Sequence, residues 1–88
     1  MKYSSDFLSR AHDFSFENRA VLSQSTLCGC FYCLKTFSPS EIVEWIDDKN
    51  ADTAMCPHCG IDAIIAGKSE FPIDDMEFLK QMFERYFN

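Results

Sequence analysis

Two short stretches decide the reading of this chain: Cys30-Phe31-Tyr32-Cys33 and Cys56-Pro57-His58-Cys59-Gly60, separated by 22 residues. Each is a C-x-x-C turn, which sets two sulfurs on one side of a tight loop. Gly60, directly behind the second pair, suits a backbone that must turn sharply there. Two such turns offer four thiolates, the set a structural zinc ion takes up as a tetrahedron. A single C-x-x-C can be a redox pair, but that needs a surrounding βαβ pattern, which is missing here. Iron accepts the same four sulfurs; zinc is the expected ion, held by Cys30, Cys33, Cys56 and Cys59. Cys28 offers a further thiol and could in principle pair with Cys33, but it reads as a small buried residue beside the site.

Between the turns, Ser38-Pro39-Ser40-Glu41 has the form of a helix start. Ser38 can cap, Pro39 fits the first helical position and Glu41 can complete a capping box. Ile42, Val43, Trp45 and Ile46 then read as the apolar side of a short helix over 39–47. Thr53-Ala54-Met55 and 61–66 read as short strands entering and leaving the second turn.

Outside 28–66 the chain reads as helical. In 1–27, Phe7, Leu8 and Ala11 share a face, and Phe14, Val21 and Leu22 continue the apolar pattern. Asp13 or Ser15 is a candidate cap for a second short helix ending near Ser25. After Gly67 and Pro72, a helix is expected from about Asp74, with Met76, Leu79, Met82, Phe83 and Tyr86 at spacings of three and four and Phe78 and Phe87 widening the stripe. The expectation is therefore one zinc-binding domain over 1–88 with an α+β fold. It would have a zinc-ribbon or treble-clef-like centre, one helix inserted between the turns, and helices at both ends.

Length makes a metal useful. A chain of 88 residues is near the lower end of what an apolar core holds together alone. Nine Phe, three Tyr and one Trp supply large buried areas, and a bound ion would add the rest. The opening residues MKYSSDFLSR carry charges throughout and do not read as a signal peptide, and no stretch is long and apolar enough to span a bilayer. Five cysteines in a chain without an export signal argue for the cytoplasm and against a disulfide framework.

The formal net charge is −6. Four thiolates around one divalent ion would carry −2 and bring the total to −8. Nucleic-acid binders draw affinity from lysine and arginine contacts to phosphate, and no basic cluster exists here. A zinc finger for DNA or RNA is thus the weaker reading, and an acidic surface suits a protein partner with basic patches. Catalysis has little support. Four thiolates leave no open metal position for water or substrate. No histidine falls between Cys33 and Cys56, as a ββα-metal nuclease would need; His58 reads as a surface residue, and His12 as a helix-surface or partly buried one whose alternative is a ligand or base. Asp47, Asp48, Asp74 and Asp75 read as solvated or capping residues, and Asp62 as a residue that could accept hydrogen bonds from the second turn. A nuclease-like or hydrolytic enzyme is the alternative of a different class.

The run Gly29-Cys30-Phe31-Tyr32-Cys33, then Phe37, Pro39, Glu41-Ile42, Trp45, Asp47 and Thr53-Ala54, then Cys56-Pro57, Cys59-Gly60-Ile61-Asp62, resembles a family of short, uncharacterised bacterial cytoplasmic proteins with a double zinc knuckle. The match is close over 28–66, looser in the last helix and partial in the N-terminal region. The resemblance implies zinc and a bacterial or phage cytoplasm, and supplies no activity. The combined expectation is a zinc-stabilised, non-catalytic protein-interaction module with a regulatory role. It would dock a protein partner or a second copy through the aromatic C-terminal helix, with Met76, Leu79, Phe83 and Tyr86 turned inward and Phe78, Met82 and Phe87 partly exposed. The competing expectation is that the N-terminal helix covers this second face through Phe7, Leu8 and Phe14.

Overall fold

The computed structural model describes residues 2–87. Helix α1 is Ser5–Asp13, started by Ser4, whose hydroxyl accepts from Phe7 N–H at 3.1 Å. Its apolar face buries Leu8 and Ala11, as the spacing predicts. A short helix α2, Arg19–Ser23, follows. Its N-cap is Asn18, not Asp13 or Ser15; Ser15 is instead buried, with its hydroxyl donating to the His12 carbonyl at 2.7 Å.

Two antiparallel sheets form the centre. In the first, β1 (Cys28–Cys30) lies between β2 (Thr36–Phe37) and β5 (Ile64–Ala66), with Cys28 opposite both Phe37 and Ala66. In the second, β3 (Trp45–Asp47) pairs with β4 (Asp52–Ala54), Ile46 facing Thr53. Backbone approach is tight in the first sheet. A Cβ on Gly29 would lie 3.2 Å from the Ile73 side chain, and one on Gly67 would lie 2.4 Å from the Leu27 carbonyl oxygen.

The helix expected over 39–47 is much shorter in the structure. The capping box at Ser38 and Glu41 is present, but it starts a single 3-10 turn, Pro39–Glu41. Ile42 is already extended (ψ 123°), and Trp45–Asp47 is strand β3. The reason lies in the side chains: Ile, Val, Trp and Ile pack better on a pleated surface than in a helix, and β4 needs a partner for its backbone.

Helix α3, Met76–Tyr86, starts where Asp75 accepts from Glu77 N–H at 3.0 Å. The face it buries differs from the expected one. Phe78, Leu79 and Met82 are in the core, with Gln81, while Met76 is half exposed and Phe83 and Tyr86 are half-buried. The N-terminal segment covers this face: Phe7 and Tyr3 meet the Phe78 ring edge-on at 6.0 and 5.5 Å. Phe78 and Met82 are therefore core residues, as in the reading in which the N-terminal segment covers this face, and not an exposed contact surface.

One buried side chain joins the two sheets. Asn18 accepts from Ala54 N–H of β4 at 3.0 Å and donates to the Ile64 carbonyl of β5 at 3.0 Å. Its amide completes backbone groups that would otherwise be buried without partners. Beside it Thr53 accepts from Glu17 N–H at 2.7 Å and donates to the Asp48 carboxylate.

Candidate metal centre

The two cysteine turns sit at equivalent places in the two halves of the centre. The first caps the β1–β2 hairpin, and the second links β4 to the chain entering β5. They are held alike. Cys30 N–H donates to the Lys35 carbonyl at 2.9 Å and Cys56 N–H to that of Ile61 at 3.0 Å. Leu34 N–H returns to the Cys30 carbonyl at 2.9 Å, as Gly60 N–H does to that of Cys56 at 2.8 Å. Leu34 and Gly60 both take a left-handed backbone, φ 66° and 81°. The spacing alone marks Gly60 as such a residue; at Leu34 a β-carbon hides the same requirement.

This matched geometry brings four sulfurs together. The Sγ atoms of Cys30, Cys33, Cys56 and Cys59 all lie within 4.8 Å of one another. Across the two turns, Cys30 to Cys59 is 3.7 Å and Cys33 to Cys56 is 3.8 Å. A tetrahedron with metal–sulfur bonds of about 2.3 Å has edges of about 3.8 Å. All five cysteines are free, so the cluster is not a pair of disulfides. In each turn an amide is directed at the first sulfur: Tyr32 N–H at Cys30 and His58 N–H at Cys56, both 3.4 Å. Such bonds favour the thiolate.

Burial disfavours bare thiolates at two of the four sulfurs. Burial pushes the Cys30 thiol strongly up, and burial also raises Cys59. Burial pushes Cys56 the same way, but N–H bonds from His58 and Cys59 outweigh it and its thiol is lowered. Thiolate at the buried positions therefore calls for a nearby positive charge, which a divalent ion supplies.

The other residues singled out by the sequence lie elsewhere. Cys28 is fully buried and donates to the Phe37 carbonyl at 3.4 Å; burial pushes its thiol up to about 12, in keeping with a neutral core residue. His12 stacks on Tyr86 at 4.0 Å, and His58 turns to Glu41 at 3.1 Å and to the Phe37 ring. The amides of the second turn go to Cys56 Sγ, the Cys56 carbonyl and the Ile61 carbonyl, not to Asp62. Sequence reasoning missed Asn18 and Glu17, since a polar residue in a loop gives no sign that it will be tied to a distant strand or hairpin.

Fold and site together define a small α+β domain, zinc-ribbon-like, with a four-cysteine cluster on two matched turns. Neither cysteine pair lies at a helix N-terminus, where a treble clef would put one. The chain matches no family model, no curated protein and no solved structure, so the chemistry of the cluster carries the functional reading.

Proposed function

We propose that the four cysteines hold one structural zinc ion and that the domain it stabilises is a non-catalytic protein-interaction module with a regulatory role. The observation that carries this is the sulfur cluster, whose cross-turn separations of 3.7 and 3.8 Å fit a closed tetrahedral site. With all four positions filled by protein, such an ion supports a fold and has no seat for substrate.

The contact surface in this reading is narrower than a whole helix face. Once Phe78, Leu79 and Met82 are in the core, Tyr32 and Phe87 remain exposed, 4.9 Å apart edge to face, with the half-buried Phe83 against both. Exposed aromatic clusters of this kind suit a protein partner or a second copy. The net charge of −6 speaks against nucleic acid. No helix among the described residues is long and apolar enough to cross a membrane, and a cytoplasmic setting, with the resemblance of 28–66 to the bacterial family, belongs to the same proposal.

Metal analysis of purified protein should give one zinc per chain. Iron, with its visible thiolate absorption, or no metal would overturn the assignment. Partner capture from cells should be lost in Tyr32→Asp and Phe87→Asp while zinc content stays unchanged. Capture that survives both changes would remove this surface from the reading.

A further inference from the structure

Three of the chain's cations are seated in one repeated way, while Arg85 lies over Tyr86 without a carboxylate among the described residues. Arg10 lies over the Phe7 ring, 5.4 Å from its centroid, and pairs with Glu70 at 2.8 Å. Arg19 lies over Trp45 at 4.4 Å and pairs with Asp52 at 2.7 Å. Lys2 lies over Tyr3 at 5.5 Å and pairs with Asp75 at 2.8 Å. Each time a positive group has an aromatic ring on one side and a carboxylate on another, combining attraction to the ring quadrupole with an ion pair.

A fourth set of the same parts lies between α1 and α2. Asp13, Phe14, Phe16 and Glu17 line an open cleft of about 350 Å³, with Val21 also in its wall. Phe14 is 47% exposed and Phe16 43%. No lysine or arginine lines the cleft, and neither carboxylate is in an ion pair among the described residues. Arg10 and Arg19, the nearest cations in sequence, are held by Glu70 and Asp52.

Glu17 adds an independent observation. Its backbone is left-handed, φ 50°, a conformation that costs a non-glycine residue of order 1 kcal/mol. Two bonds hold it there: its N–H donates to Thr53 Oγ1 at 2.7 Å, and its Oε2 accepts from Asn50 N–H at 2.8 Å. The loop is thereby fixed to the β3–β4 hairpin, with one Glu17 carboxylate oxygen on Asn50 N–H.

We propose that the cleft walled by Phe14 and Phe16 and edged by Asp13 and Glu17 receives a lysine or arginine side chain of a protein partner. This rests on the protein-interaction reading and gives that partner a chemistry: a basic segment, complementary to a chain of net charge −6. The cationic head lies against the rings and carboxylates, as Arg10 and Arg19 do. Neighbouring rings run from the cleft to Phe87 through the interior: Phe16 on His12 at 5.2 Å, His12 on Tyr86 at 4.0 Å, and the buried Phe31 beside both Tyr86 and Phe87 at 6.2 and 5.7 Å.

The test is an NMR titration of the full zinc-loaded chain with N-acetyl-arginine methylamide, using N-acetyl-glutamine methylamide as the uncharged control. Amide shifts should centre on residues 13–21 with the arginine compound and be absent with the glutamine compound. Asp13→Asn and Phe16→Ala should each weaken binding about fivefold. Asp13 is exposed and ends α1, so its variant keeps the fold even where changes at Glu17 disturb the loop. Equal shifts from the two compounds, shifts spread over other acidic sites, or unchanged affinity in both variants would overturn the proposal. A partner captured through Tyr32 and Phe87 while residues 13–21 stay silent to arginine removes the cleft alone. Silence with no partner captured removes the interaction reading as well.

Discussion

Gly60 and Leu34 stand in equivalent places behind the two cysteine turns, and both have a left-handed backbone. A Cβ built on Gly60 meets nothing within 4 Å, so Gly60→Ala isolates the backbone cost. Denaturant unfolding of the zinc-loaded protein should show a loss of about 1 kcal/mol. Gly67→Ala should cost more, because its Cβ would strike the Leu27 carbonyl oxygen at 2.4 Å. Asp75 gives a second residue-scale prediction. Hydrogen bonds from Lys2 and Tyr3 hold its carboxyl down to about 2, against an ordinary 3.8. A depressed carboxyl stabilises the fold fully above its unfolded value near 3.8 and loses that contribution as pH falls towards about 2. The carboxyl carbon of Asp75 should therefore keep its ionised chemical shift at pH about 4, and Lys2→Met should move the midpoint up. Half-protonation in the unchanged protein at that pH would contradict the tie.

Helix α3 shows how far periodicity carries a reading. The apolar residues of 76–87 exceed one stripe, and spacing alone does not say which of two faces turns inward. The choice is made by Phe7 and Tyr3, which reach the Phe78 ring from the other end of the chain. Phe78→Asp should leave the protein unfolded, since it places a charge at a fully buried position. Phe87→Asp, at a residue 39% exposed, should shift stability by less than about 1 kcal/mol and leave the circular dichroism spectrum unchanged. The segment after Pro39 teaches the opposite lesson. Its helix-start signal was legible and is present, yet it governs only three residues. Past Glu41 the β-branched and aromatic side chains and the open edge of β4 decide, and that edge comes from residues beyond any local window.

At the scale of the whole molecule, the four cysteines draw on both halves of the centre, with β1–β2 on one side and β4 to β5 on the other. Metal ligation in small zinc domains contributes of order 10 kcal/mol, comparable with the entire stability of a domain this size. Cys33→Ser or Cys59→Ser, or a strong chelator, should therefore unfold the chain. Cys28→Ser should be mild, because a hydroxyl can still donate to the Phe37 carbonyl. Metal release by Cys28→Ser would show the ligand set to be misassigned. This part of the molecule was legible because cysteine spacing is local chemistry written twice. The junction of the two sheets was not, because it depends on Asn18 meeting Ala54 and Ile64 from a loop. Trp45, the only tryptophan, stands at that junction's outer side under the Arg19 guanidinium, 4.4 Å from its ring centroid. The chain thus carries one indole fluorophore, placed where α2 meets the β3–β4 hairpin and not among the sulfurs. Its emission reports the docking of that hairpin alone, so a stopped-flow trace recorded at this one indole, set beside a thiol-reactive dye that times metal loss, would resolve which of the two events comes first.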